Sequence, residues 1–247
     1  MSLRSSVALG LVLLPLLMLC IWLGLWQLQR MHEKQELIEQ FKHAKDMDLP
    51  QAIASGGLFA HVTVSGHYVT AWHLLLDNKI LAGRAGVHAL TLFQPDHGSP
   101  ILVNRGWLPL PPDRRSLPEI PTPAGELSIS GILSKPYESG LRLGEPDRLE
   151  TLAGPRLITY LDLEALAPLV RGELSPWLIQ LDNGDSTGFD GRDWKPAVMT
   201  PAQHGAYAVQ WFSLALAIVL VWFVMVRKRR QAEAEDGVAD FGKQHQT

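Results

Sequence analysis

The sequence predicts a membrane protein of the α+β class, in which two transmembrane helices flank a β-rich domain built as an antiparallel sheet or partial barrel. Three observations carry this prediction. Apolar runs over 7–28 and 207–226 are each long enough to cross a bilayer, which takes about 20 mostly apolar residues. About 180 residues of mixed polarity separate them. Within that middle segment apolar and polar residues alternate with the period of strands.

Residues 1–28 form the first anchor. Arg4 followed by an apolar run fits the start of a signal peptide, but no small-x-small cleavage site follows, and Leu19 stands where a lipoprotein signal needs a small residue before Cys20. The span therefore reads as uncleaved. Cys20 is the single cysteine of the chain, so the exported domain is expected to hold no disulfide, thiolate zinc site or cysteine nucleophile. Arg227-Lys228-Arg229-Arg230 directly follows the second span, and such basic flanks stay on the cytoplasmic side. Both termini are then expected inside and the middle segment outside.

Over 29–48 a helical rhythm of Met31, Leu37, Ile38 and Phe41 among charged residues predicts a juxtamembrane helix. The exported domain follows over 49–203. Alternation predicts strands over 62–68, 72–81, 87–93 and 101–107, separated by Ala82-Gly83, Pro95-Asp96-His97-Gly98 and the prolines from 109 to 112. Further strands are expected over 127–133, 157–161 and 177–181, with a proline-rich crossover over 109–123. Asp162 suits the N-cap of a short helix over 163–170. The second transmembrane helix occupies 204–226. Residues 227–247, polar beyond the basic cluster and without apolar periodicity, read as a disordered cytoplasmic tail.

A net charge of -3 gives no reason to expect nucleic acid. No dinucleotide fingerprint, phosphate loop, His-Glu-x-x-His motif or nucleophile elbow is present, so a catalytic role has little support. His61 and His67 fall on the polar face of one strand with Thr63 and Ser65, where solvated histidines are commoner than metal ligands; a metal site needs three or four convergent ligands. His204 differs, because an ionisable group entering an apolar span must be satisfied by a partner, a cofactor or interfacial water. At helical spacing it shares a face with Tyr207, Ala208, Trp211 and Ala215, which offers a metal ligand, aromatic surface and room for a second helix or a flat ring. An interfacial aromatic belt with a snorkelling histidine explains the same residues.

Leu23-Gly24-Leu25-Trp26-Gln27-Leu28-Gln29-Arg30 ends the first span, Ile101-Leu102-Val103-Asn104-Arg105-Gly106-Trp107 lies in the sheet, and His204-Gly205-Ala206-Tyr207-Ala208-Val209-Gln210-Trp211-Phe212 enters the second span. In order, spacing and position these resemble the surfeit locus protein 1 family, over nearly the whole chain. The resemblance, to bacterial members, implies an assembly factor for haem-copper cytochrome c oxidase in the cell inner membrane. It would act while haem a is placed in the catalytic subunit, with haem a synthase and other assembly factors as possible partners beside the lipid bilayer. It implies His204 as the axial ligand of haem iron. Gly205-Ala206 departs from the larger apolar pair expected after that histidine. A carrier of so large a ring needs an apolar slot and cations for the propionates, so Tyr207 and Trp211 are expected to line the ring and Arg30 or Arg105 to pair with the propionates. Arg30 also reads as an interfacial anchor, and Arg105 as a strand-end arginine serving the fold. The competing reading is a cofactor-free membrane scaffold with Trp26, Trp107 and Trp211 as contact residues. A haem-modifying enzyme is a third, disfavoured because paired histidines are lacking.

Overall fold

The computed structural model describes residues 3–111, 116–136, 154–170, 172–196 and 199–244, with the backbone alone for 3–9 and 233–244. Within 111–147, residues 112–115 and 137–147 lie outside them. The described chain forms two units, a helical one from residues 1–39 and 196–247 and a sheet domain over 40–195.

The sheet domain opens with a short helix, α2 (Leu49–Ala54), and continues through β1 (His61–Leu81), β2 (Arg84–Pro95), β3 (Ile101–Pro109), β4 (Leu127–Ser134) and β5 (Gly154–Ile158). A single-turn helix α3 (Leu163–Leu166), a 3-10 turn over Ala167–Leu169 and β6 (Leu178–Leu181) complete it. Asp162 caps α3 as its residue type predicts, its carboxylate accepting from Ala165 N at 3.1 Å.

Six strands form one sheet in the order β2-β3-β6-β4-β1-β5, and β1 also pairs with β2. The pairings therefore close a five-membered ring, β1 to β2 to β3 to β6 to β4 and back to β1, a small Greek-key barrel with β5 added along β1. This agrees with the expected antiparallel sheet or partial barrel, to which the structure adds two parallel pairings: β3 with β6, and β1 with β5. Parallel neighbours need long crossovers, and the chain between β3 and β6 supplies one.

Strand β1 is the spine. Its first half alternates, with Val62, Val64 and Tyr68 buried and Thr63 and Ser65 outward, and Thr63 Oγ1 meets Ser130 Oγ at 2.9 Å across the β1/β4 ladder. A register shift between Tyr68 and His73 joins what the alternation predicts as two strands. Beyond it both faces are covered, so Trp72 to Asp77 are all buried. Before the shift, Val62, Val64 and Tyr68 join the cluster of Phe93, Ile101, Val103, Ile129 and Ile179 capped by Leu49 and Ala52 of α2; beyond it, one face places Leu75 with Val87 and Ala89. The other packs Leu74, Leu90, Leu92, Leu102 and Leu178 under Leu166 of α3. Strand β5 begins three residues earlier than the alternation predicts, because its register is set by pairing with Trp72 to Leu76 of β1.

Asp46 and Asp182 both reach His61, at 3.0 Å from Nδ1 and 2.6 Å from Nε2. Burial alone would lower the pKa of this histidine, but the hydrogen bonds and charges of the two carboxylates outweigh it and leave the pKa raised. His61 is thus ion-paired where the sequence predicts a solvated strand histidine, and no group of three or more ligating side chains that could hold a metal lies among the described residues.

The helical unit contains α1 (Leu3–Lys42) and α4 (Pro201–Gln244). Gly10–Lys42 and Pro201–Ala232 are long and apolar enough to cross a membrane. Helix α4 runs on through the basic cluster to Gln244, which corrects the expected disordered tail. Gln231-Ala232-Glu233-Ala234-Glu235 are good helix formers and extend the helix already nucleated by the span.

A raised histidine pKa contributes stability that is complete below the unfolded value of about 6.5 and lost as pH rises through the folded value. We therefore expect His61→Gln to lower the melting temperature of the detergent-solubilised protein at about pH 5.5 and to have a smaller effect at about pH 9, as read by differential scanning fluorimetry.

Candidate functional site

The three sequence motifs divide between the two units. The middle one, Asn104-Arg105-Gly106-Trp107, is occupied with building the barrel. Arg105 is 1% exposed, and its guanidinium donates from Nε and Nη2 to Thr187 O, from Nη2 to Pro121 O at 2.8 Å, and from Nη1 to Thr122 Oγ1 at 2.8 Å and Thr91 Oγ1 at 3.5 Å. These bonds use all five N–H donors. The rings of Tyr68 and Phe189 lie 4.9 and 4.7 Å from its Cζ. Burial lowers its pKa, yet the group stays charged because the unperturbed value is so high. The expectation that Arg105 serves a propionate is corrected accordingly, since its guanidinium has no donor left for a ligand.

Gly106 has φ +111°, and a Cβ there would lie 2.6 Å from Asp190 O. The loop after β6 lies directly across this residue, with Trp107 N donating to Asp190 O at 2.7 Å and Phe189 N to Arg105 O. Asn104 Oδ1 accepts from Gly106 N at 3.2 Å, and Trp107 Nε1 donates to Lys79 O at 3.0 Å. The motif is a lock for that loop.

The first and third motifs meet in the helical unit. Gly24 faces the Phe212 ring so closely that a Cβ would lie 2.6 Å from it, and Met31 Sδ would lie 3.3 Å from a Cβ on Gly205. Seven residues forward on α1, from 24 to 31, correspond to seven back on α4, from 212 to 205, so the helices run antiparallel. Met31 also accounts for the departure at Gly205, because a larger side chain would displace its sulfur. Gln27 stands between these two contacts along α1, and its Oε1 lies 2.8 Å from His204 Nδ1, both residues being buried, at 9% and 7% exposure. Cys20, Ala208 and Ala215 are also buried on the two helices.

His204 thus has one ring nitrogen engaged. Its Nε2 has no hydrogen-bond partner among the described residues. Tyr207 is 46% exposed and Trp211 half-buried, on the flank of α4 beside His204 rather than inside the helix contact. Arg30, one turn beyond Gln27 on α1, is exposed; its Nη1 meets Glu33 Oε2 at 2.8 Å and its Cζ lies 5.7 Å from the Trp26 ring. His204, Tyr207, Trp211 and Arg30 therefore all belong to the helical unit, while Arg105 belongs to the sheet domain.

The residue that sequence reasoning passed over is Gln27. Its signal was available, since a side-chain amide in an otherwise apolar run must find a partner. Such hydrogen bonds between membrane helices contribute on average only about 0.6 kcal/mol, too little to explain the pairing as a stability device. What it does supply is orientation. An imidazole held through Nδ1 by an oxygen acceptor carries its proton there and leaves Nε2 as a lone pair, the form that ligates metals. The donor set fits an iron porphyrin: one imidazole with Nε2 unengaged, flanking aromatic surface and a nearby exposed guanidinium.

The SURF1 family model matches residues 14–216. Similar relatives include Surfeit locus protein 1 of Xenopus tropicalis, 27% identical over 227 residues that cover 81% of this chain and 70% of the relative. Surfeit locus protein 1 of Gallus gallus is 28% identical over 241 residues, covering 87% and 73%. A SURF1-like protein of Caenorhabditis elegans is 25% identical over 240 residues, covering 83% and 70%.

The tight Gly24 contact yields a direct test of the helix pairing. We expect Gly24→Val to destabilise the detergent-solubilised protein by about 1–3 kcal/mol through overpacking, and Phe212→Ala to restore much of that loss in the double variant, measured by thermal unfolding. Arg105→Leu, which strips the shared partner from the part-buried carbonyl oxygens of Thr187 and Pro121, is expected to cost about 2 kcal/mol in the same assay.

Proposed function

The chain belongs to the SURF1 family, and from that premise we propose that it is an assembly factor for haem-copper cytochrome c oxidase which holds haem a at His204 and passes it to the catalytic subunit. The reading is supported above all by the buried His204, with Nδ1 held by Gln27 and Nε2 without a protein partner. A histidine serving only as an interfacial residue has no need of a buried amide to set its tautomer.

In this reading haem a is cargo, offering an iron centre to the imidazole lone pair and two propionates to cations. His204 is the axial ligand through Nε2. Tyr207 and Trp211 lie on the flank of the same helix and supply aromatic surface for the ring. Arg30 spends one nitrogen on Glu33 and retains other donors for a charge-assisted bond to a propionate. Arg105 takes no part. No covalent step is required of any residue; the chain binds, orients and releases. Release calls for a ligand that the acceptor can replace, which a single histidine satisfies better than a closed pair.

In the same reading both spans lie in the cell inner membrane with the termini cytoplasmic, which is supported by the basic cluster after the second span, since such flanks are retained inside. The sheet domain is then extracytoplasmic, where it can meet the oxidase subunit, haem a synthase or other assembly factors.

The absorption spectrum of the detergent-purified protein, co-expressed with haem a synthesis, tests this. We expect a haem a band in the wild type that is lost in His204→Ala and reduced in Arg30→Gln. A colourless wild type from cells that make haem a would overturn the carrier reading and leave a cofactor-free scaffold for an oxidase subunit.

A further inference from the structure

We propose that Gln27 is the positioning residue for His204: its side-chain carbonyl selects the tautomer and the ring plane of the imidazole, so that the strength of the histidine as an iron ligand is set from α1 and not from α4. This deepens the haem reading above and rests on it for its functional meaning, though the control of the tautomer is a property of the cargo-free chain.

The chemistry is determined by the atoms. Gln27 Oε1 has lone pairs and no proton, so the 2.8 Å contact requires Nδ1 to donate. A neutral imidazole carries one N–H, and with that proton on Nδ1 the lone pair is on Nε2. The opposite tautomer would place a proton where a metal must bind. Burial of both partners keeps water from competing for Nδ1.

The geometry also restrains Gln27 itself. One turn before it, Gly24 receives the Phe212 ring; one turn after it, Met31 packs against Gly205. These two contacts bracket the glutamine along α1 and fix the spacing of the helices at its level, so the amide reaches His204 over one defined distance. The identity of the acceptor matters as much as its place. A carboxylate at this position would draw the Nδ1 proton and make the imidazole a stronger donor to iron, as carboxylate partners do for ligating histidines elsewhere. A neutral amide orients the ring without that push. It therefore suits a ligand that must give up its cargo.

Two measurements test the proposal on the full chain in detergent. In cargo-free protein labelled with 15N-histidine, the His204 ring shifts should report Nδ1–H in the wild type and a mixture of tautomers in Gln27→Leu. An Nε2–H tautomer in the wild type, or no change in Gln27→Leu, overturns the proposal whether or not haem binds. In protein loaded with haem a, Gln27→Leu should weaken retention roughly 10–100-fold, the range expected when a ligand's hydrogen-bond partner is removed. Gln27→Glu, nearly isosteric and so a safeguard against simple misfolding, should raise the iron–histidine stretching frequency in resonance Raman spectra and slow transfer to apo-myoglobin as acceptor. A purely structural glutamine would leave that frequency unmoved in Gln27→Glu, and this result too would sink the proposal. If the tautomer behaves as expected while the wild type takes up no haem, the carrier reading fails and the positioning role of Gln27 stands alone.

Discussion

The sheet domain depends on a buried positive charge. Arg105 sits inside the barrel wall with no carboxylate bonded to it among the described residues, and its five donors are taken by carbonyl and hydroxyl oxygens of the segments on either side. Those acceptors come from β2, from the crossover at Pro121 and Thr122, and from the loop at Thr187. A guanidinium can bind all three at once because its donors form a rigid planar fork. The irregular chain, which has no strand ladder of its own to satisfy its backbone, is thereby tied to the regular part. Arg192 repeats the device from the loop side, donating to Phe189 O and Asp185 O at 2.7 and 2.8 Å.

The helical unit follows a different logic. Its two spans are apolar over most of their length, and among its described residues the buried polar side chains are a single pair, Gln27 and His204. There the small residues Gly24, Gly205 and Ala208 let two backbones approach, and the glutamine and histidine occupy the space so created. Stability is a minor part of what that pair provides. Its weight lies in presenting one nitrogen of one ring in a defined state, which is the difference between a residue that sits in a membrane and one that can act there.

Much of this was legible in the sequence because the signals are local. The spans follow from length and hydropathy, the strands from alternation, and the cap at Asp162 from residue type. What was not legible depended on distant partners. The joining of two predicted strands into β1 turns on the irregularity between Tyr68 and His73, which inverts the apparent alternation. The parallel pairings of β3 with β6 and β1 with β5 have no mark in either strand alone. Arg105 reads as a strand-end cation until the loop carbonyls that consume it are placed. His204 stood out by position, whereas Gln27 did not, because a polar residue near the end of a span is ordinarily taken for an interface residue.

The closed ring has a consequence for how the domain is made. Strands β1, β2 and β3 are neighbours in sequence and can zip as hairpins, but the free edge of β3 is covered only by β6, whose last residue is Leu181. Until that part of the chain arrives, β3 offers open backbone hydrogen bonds on a segment that begins with Ile101, Leu102 and Val103, apolar on both faces. Closure is thus a late and non-local event, the kind that slows folding and prolongs exposure of sticky edges. A newly made molecule would pass through a stage at which a chaperone could hold it, and mutations in the β6 segment would be felt as loss of yield before they were felt as loss of function.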